Sequence, residues 1–446
     1  MSEATIDRPL ETAERPVRLP PSPPVPKFLQ AVGYAALRRQ LIRRLTGMYG
    51  SAFTLSTPVF GPMVVVTDPA LAKQVFTAPT EVLGNIQPNL SRILGPGSVF
   101  ALEGSEHRRR RKLLTPPFHG KAMRNYEAIV EEETLREISS WPEGREFETL
   151  EPMMRITIDV ILRAIFGAIG AELDSLRRIL PPWVTLGSRL VVLPKPGRDL
   201  GRWSPWNRLA GYRREYDEVV EALIDQARSD PQLEERTDVL ALLVRSTYED
   251  GTPMTPSEIG DELLTLLAAG HETTASTLAW FFERVSRHPA VLEKLVAEAA
   301  TDDNEYRQAT ILEVQRNRTV IDFAGRRVLS PTFELGEWTI PQGYSISVGI
   351  GMAHRDSEEF PDPERFDPQR FVGERPNTFA WIPFGGGTRR CVGAAFANME
   401  MDVVVRTVLR HFVIQATSAP GEKWHSRGVA FTPKRGGRIT VHRRTA

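Results

Sequence analysis

From Lys27 onward, apolar positions recur mostly at helical spacing, and the exceptions alternate with period two. Helices are predicted over 121–141, 153–166 and 213–228, among others. The run 52–68, AFTLSTPVFGPMVVVTD, alternates and carries Val64, Val65 and Val66, which predicts a hairpin. A second β-rich zone covers 327–351, where Trp338 and Ile340 precede a Pro-Gln-Gly turn and Ser345 to Val348 follow it. No β-α-β alternation appears, which argues against a doubly wound nucleotide fold. The pattern predicts an α+β architecture, mainly α, forming one large domain over 27–446 with minor sheets supplied from both ends of the chain. Ahead of it lies a proline-rich lead-in, 1–26, whose segment PVRLPPSPPVP is expected to be extended.

The best-defined helix begins at Thr255. Thr-Pro-Ser-Glu offers a capping hydroxyl, a proline at the first helical position and Glu258 three residues after the cap, which together make a capping box. Arg287, His288 and Pro289 mark its far end. At about 1.5 Å per residue such a helix is a rod of roughly 50 Å. Leu263, Leu264, Leu266, Leu267, Leu278, Trp280, Phe281 and Phe282 leave little continuous polar face, so this helix is expected to be central and buried.

Composition narrows the function classes. The 446 residues include 56 Lys plus Arg against 56 Asp plus Glu, and zero net charge argues against a generic polyanion binder. No secretory signal opens the chain and no stretch of some twenty apolar residues interrupts it, so a cytoplasmic protein without a membrane anchor is expected. The single cysteine, Cys391, excludes an intrachain disulfide and any site needing several thiolates. It leaves a buried bystander, a nucleophile or a lone thiolate ligand.

Two segments carry chemistry. The middle of the central helix reads Ala268-Ala269-Gly270-His271-Glu272-Thr273-Thr274, where glycine and threonine weaken a helix and a buried carboxylate needs compensation. Such contradictions often mark a working site, although Glu272 could simply pair with a base and the threonines bond back to carbonyls one turn earlier. The second segment, Phe384-Gly385-Gly386-Gly387-Thr388-Arg389-Arg390-Cys391-Val392-Gly393, combines close backbone approach, a fork of donors and the only thiol. A helix is expected from Val392 to about Phe412, whose N-terminus would favour the thiolate of Cys391. A phosphate loop is the rival, but the lysine and hydroxyl that should end it are missing. From Cys391 alone a structural thiol would be the better reading.

In register, Phe384, Gly387, Arg389, Cys391 and Gly393 form F-x-x-G-x-R-x-C-x-G, which resembles the haem-binding loop of the cytochrome P450 family. Three further motifs follow the family's order: Ala269 to Thr274 resembles its oxygen-activation motif, Glu313-Val314-Gln315-Arg316 its E-x-x-R helix, and Pro368-Gln369-Arg370-Phe371 the segment whose arginine completes a Glu-Arg-Arg triad. The resemblance covers about 27–443 and is closest to soluble, stand-alone bacterial members without a fused reductase. It implies that fold, with the long helix over a haem b whose iron takes Cys391 as axial thiolate. It makes Phe384 a shield for the sulfur, and Gly387 and Gly393 backbone contacts in the haem loop. His107, Arg111, Arg389 and Arg326 would be propionate ligands, with Arg327 adjacent and inseparable from Arg326 by counting. Ala269 would lie over the haem, and Glu272 and Thr273 would be the acid-alcohol pair that relays protons. Glu313, Arg316 and Arg370 would be structural.

These matches imply a monooxygenase that inserts one atom of O2 into an apolar organic substrate. Its electrons would come from separate proteins, a ferredoxin with ferredoxin reductase or a flavodoxin-type donor, and no nucleic acid is expected as partner. A peroxygenase or isomerase within the same fold is disfavoured by the acid-alcohol pair, and a haem-based carrier or sensor without turnover is the reading from another class. In the run 108–112, Arg109 and Arg110 are expected to face outward and attract an acidic electron donor. Asp322 would meet substrate or, more simply, pair with Arg318 or Arg327. Trp183, Leu186, Leu190, Val191 and Val192 suggest an apolar pocket wall but are equally core residues.

Overall fold

The computed structural model describes residues 16–444, apart from 58–59, 87–89, 119, 168–170, 192, 194–200 and 202–203. The expected lead-in therefore falls partly outside the described residues. Its described part is extended and pinned: Arg18 bridges Thr339 and stacks over Trp338, and Thr54 N–H donates to the carbonyl of Pro21.

The central helix spans Pro256–Val285, and its start is the capping box expected from the sequence, with Thr255 accepting from Glu258 N–H and the Glu258 carboxylate accepting from Thr255 N–H. It packs against the helix Leu150–Phe166 within the main core, and against Ala394–His411 and the strand Phe431–Pro433. Gly270 permits the first of these contacts, because a Cβ there would lie 3.2 Å from Ile161 Cδ1.

A five-stranded sheet is assembled from distant parts of the chain in the order Ala52–Thr57, Gly61–Val66, Ser345–Gly349, Phe323–Val328, Leu83–Asn85. The hairpin strand Gly61–Val66 runs parallel to Ser345–Gly349, with Val64 opposite Ile346. This is the join between the two β-rich zones of the sequence. Small two-stranded sheets, including Trp424–Ser426 with Phe431–Pro433, complete a mainly helical architecture.

The basic run departs from expectation. Arg110 does not face outward: it is buried, bonds the carboxylates of Glu258 (2.5 Å) and Glu262 (2.9 Å), and donates to the Tyr248 hydroxyl (2.9 Å). It ties the helix Gly104–Leu114 to the start of the central helix. Arg109 pairs with Asp250 and Lys112 with Glu249, so these cations already have acidic partners on their own surface. Asp322 pairs with Arg39, neither of the two arginines expected.

Candidate functional site

The cysteine loop is shaped by its own backbone and by the helix Pro69–Thr77. Cys391 N–H donates to the Phe384 carbonyl at 2.9 Å, closing the loop, and Gly385 and Gly387 both have φ of +66°. Gly386 and Gly387 press on Phe76: a Cβ at Gly387 would sit 1.9 Å from the Phe76 carbonyl oxygen, and one at Gly386 would sit 2.5 Å from its ring. Phe384 is half-buried and meets Trp381 edge-on at 6.1 Å. Gly393 differs from the other loop glycines, since a Cβ there would meet nothing within 4 Å.

That contrast gives a test. Gly387→Ala combines a left-handed backbone, at about 1–2 kcal/mol, with a collision against main chain, and is expected to lower the unfolding midpoint and displace the loop. Gly393→Ala is expected to leave the unfolding midpoint of the haem-free protein unchanged and to act on haem loading, followed by Soret absorbance.

Cys391 precedes the helix instead of beginning it, for the helix runs Ala394–His411 with Gly393 as its cap. The sulfur is reached from one open side, yet the surrounding protein is dense enough to raise the thiol above its ordinary pKa. Gly393 N–H, Arg111 and Arg390 pull in the other direction without overcoming burial.

Four of the expected cofactor residues converge. His107 is 2% exposed, its Nδ1 has no hydrogen-bond partner, and burial together with Arg389, Arg111, Arg326 and Arg108 holds it down at about 4. Arg326 is buried and donates to the Gly386 carbonyl at 3.1 Å, whereas Arg327, the next residue on the strand, is exposed. Arg389 donates to the carbonyls of Leu102 (2.6 Å) and Val99 (3.4 Å) and pairs with Glu103 at 3.1 Å. Arg111 donates to the Arg390 carbonyl. Burial and Arg389 push Arg326 down to about 10. Three guanidinium groups answered by one half-exposed carboxylate, Glu103, beside an orphaned imidazole nitrogen, suit a group with two carboxylates. The residues present thus fit a haem with its propionates among His107, Arg111, Arg326 and Arg389 and its iron at the open sulfur.

On the central helix, every residue from Ile259 to Val285 is buried except Ala268, Ala269, Gly270 and Thr273. These four make one small, open, mostly apolar patch in an otherwise enclosed rod. Thr273 donates to the Ala269 carbonyl at 2.8 Å, the back-bond anticipated for a helical threonine. Glu272 is 5% exposed and pairs with Arg427 at 2.5 Å. Burial raises the Glu272 carboxyl while Arg427 works to lower it. His271 turns away toward Thr157, at 3.1 Å, and burial holds it at about 4. Glu272 and Thr273 are therefore adjacent but unlike: one carboxylate locked in a pair, one hydroxyl on the open patch.

Glu313, Arg316 and Arg370 are brought together away from that patch. Arg316 forks onto Glu313 at 2.7 and 2.8 Å, and Arg370 approaches the same carboxylate at 3.5 Å. Of the expected pocket wall, Trp183, Leu190 and Val191 belong to the main core, Leu186 packs against it, and Val192 lies outside the described residues. Sequence reasoning missed Arg427, Glu103 and Phe76. Only Phe76 had a usable signal, as the apolar face of a short helix capped by Asp68.

Comparison with known proteins places the chain in a family. The family model described as Cytochrome P450 matches residues 19–438. The chain is 64% identical over 428 residues to the protein named "Putative cytochrome P450 138" of Mycobacterium tuberculosis, covering 96% of this chain and 97% of that one. It is 40% identical over 441 residues to "Putative cytochrome P450 135B1" of the same species, covering 95% and 91%. The solved structure titled "Retinoic acid bound cyanobacterial CYP120A1" superposes with a TM-score of 0.83 at 23% identity, over 96% of this chain and 100% of that one. A second, "Crystal structure of cytochrome P450DA heme domain", gives 0.83 at 22%, over 97% and 98%. With the loop, the open helix patch and the cation cluster in the family's order, and the family model matching nearly the whole length, this chain belongs to the cytochrome P450 family.

Proposed function

We propose that the protein is an external monooxygenase that inserts one atom of O2 into an apolar organic substrate. In this reading it works in the cytoplasm as one haem domain over 27–446, carries haem b, and receives electrons from a separate ferredoxin with its reductase or from a flavodoxin-type donor. Family membership supports the haem-thiolate monooxygenase class. The observation that carries the finer reading is the pairing, on one turn of the central helix, of an open threonine hydroxyl with a buried, ion-paired carboxylate. No helix among the described residues is long and apolar enough to cross a membrane.

When bound, haem supplies the iron and redox chemistry, and a thiolate ligand favours O–O cleavage. The chain's own residues do the rest. Cys391 offers the ligand from a loop whose glycines fit against Phe76, and Phe384 shields the sulfur. His107, Arg111, Arg326 and Arg389 hold the propionates. Ala268, Ala269 and Gly270 present an apolar wall to substrate, which supports an apolar substrate class. Thr273, whose proton rests on the Ala269 carbonyl, keeps its lone pairs free to accept from water, and Glu272 supplies protons to that chain.

The test uses a compound chosen by a spectral-shift screen and a surrogate ferredoxin with its reductase. Thr273→Ala is expected to keep the carbon monoxide spectrum while product per electron pair falls on the order of tenfold or more and hydrogen peroxide rises in its place. Unchanged coupling would remove Thr273 from the relay.

A further inference from the structure

The acid of the central helix is not held by its own neighbourhood. Its ion-pair partner, Arg427, stands 155 residues away, just beyond the strand Trp424–Ser426 at the turn of the last hairpin. The same guanidinium donates to Thr185 Oγ1 at 3.2 Å, on the helix Ala171–Leu190. Three elements thus meet in one fork.

The turn carrying Arg427 is itself fixed. Arg427 N–H donates to the Ala430 carbonyl at 2.9 Å, and Val429 N–H donates to Ser188 Oγ at 3.1 Å. Gly428 has a φ of +111°, and a Cβ there would lie 2.0 Å from the Ser188 carbonyl oxygen. On the other side, Arg38 Nη2 donates to the Gly428 carbonyl at 3.3 Å, and Trp280 Nε1 of the central helix donates to the Phe431 carbonyl at 3.0 Å. So the guanidinium is delivered to Glu272 by a turn with little room to shift.

We propose that Arg427 is a positioning residue for the reaction, the group that keeps Glu272 aimed and able to exchange protons with the chain ending at Thr273. This rests on reading Glu272 and Thr273 as the proton-delivering pair. Coupled turnover joins O2, a substrate C–H, two electrons from the donor protein and two protons to give an alcohol and water. When the second proton is misdelivered, the same two electrons and two protons leave as hydrogen peroxide. A carboxyl whose ionisation is pushed to higher pH is a weaker proton donor, and one with no fixed partner is not aimed. The groups facing Glu272 are Arg427 from the hairpin, Arg189 and Ser188 from the helix Ala171–Leu190, and, next to it in the chain, His271, which is neutral and turned to Thr157. Burial favours the neutral carboxyl, and Arg427 is the chief force opposing it. Removing that cation therefore moves ionisation of Glu272 to higher pH.

The experiment is an infrared pH titration of the holoenzyme with 13C-labelled glutamate, using Glu272→Gln to assign the carboxyl band. In Arg427→Ala the protonated band is expected to persist to higher pH than in the parent protein, and Arg427→Lys to return most of the way. With a compound from the spectral-shift screen and NADPH supplying electrons through a plant-type ferredoxin and its reductase, product formed per electron pair should fall on the order of tenfold at pH 7 in Arg427→Ala, with hydrogen peroxide in its place. Arg427→Gln, closer in shape, serves if the alanine variant does not fold. Identical titrations in parent and variant, including no band in either, would overturn the proposal, as would an equal loss from Arg427→Ala in a Glu272→Gln background. A shifted titration with Thr273→Ala still fully coupled would instead leave the electrostatic link standing and overturn the relay reading.

Discussion

Cys391→Ser is expected to abolish the strongly red-shifted Soret band of the reduced carbon monoxide adduct, and oxygenation with it, while leaving the fold intact. The fold survives because the loop is closed by the Cys391 backbone N–H on the Phe384 carbonyl, a bond that serine keeps. The neighbouring geometry depends on Gly386 and Gly387 against Phe76 and on Arg326 bonding the Gly386 carbonyl, none of which uses the sulfur. Function is lost because a serine hydroxyl does not ionise near neutral pH, so no thiolate remains to donate electron density. Far-UV circular dichroism and thermal unfolding should match the parent, and the carbon monoxide difference spectrum should not. A variant that kept the red-shifted band would remove Cys391 as the ligand.

Hydrophobic periodicity and capping are local signals, and what depends on them was legible in the sequence. The capping box at Thr255 and Glu258 forms as its spacing implied, and the two β-rich zones join through Gly61–Val66 and Ser345–Gly349. The cysteine loop could be recognised because its glycines answer to contacts that only glycine permits, as at Gly387. Charged partners were far less legible, because an ion pair leaves no trace at either position. Asp322 finds Arg39 across 283 residues and Glu272 finds Arg427 across 155. Arg110 is an instructive miss, since His107, Arg110 and Leu114 share one helical face and all three are buried. The run of arginines hid that periodicity behind identical letters.

Arg316→Met is expected to cost about 3–5 kcal/mol, a large share of the 5–15 kcal/mol that typically holds a domain folded. Arg316 and Glu313 are both essentially without solvent access, and the guanidinium forks onto the carboxylate at 2.7 and 2.8 Å. Its remaining donors reach the carbonyls of His354 and Pro363, both at 2.9 Å, and of Arg365 at 3.1 Å, so one side chain stitches the helix Glu305–Asn317 to the segment leading toward the cysteine loop. Taking it away strands Glu313 with only Asp367 N–H at 2.9 Å and Arg370 at 3.5 Å, in a place where burial already pushes the carboxyl up. Three carbonyls lose their donor at the same time. Lysine keeps the charge but cannot reproduce the fork, so Arg316→Lys should recover only a minor part of the loss. Most of the cost of the single variant is the stranded carboxylate, and removing that charge as well should relieve it: Glu313→Leu with Arg316→Met is expected to unfold at higher denaturant than Arg316→Met alone. Urea titrations of the three variants would check the order, and a double variant no more stable than the single one would mean that the carbonyl contacts, and not the ion pair, are what Arg316 contributes.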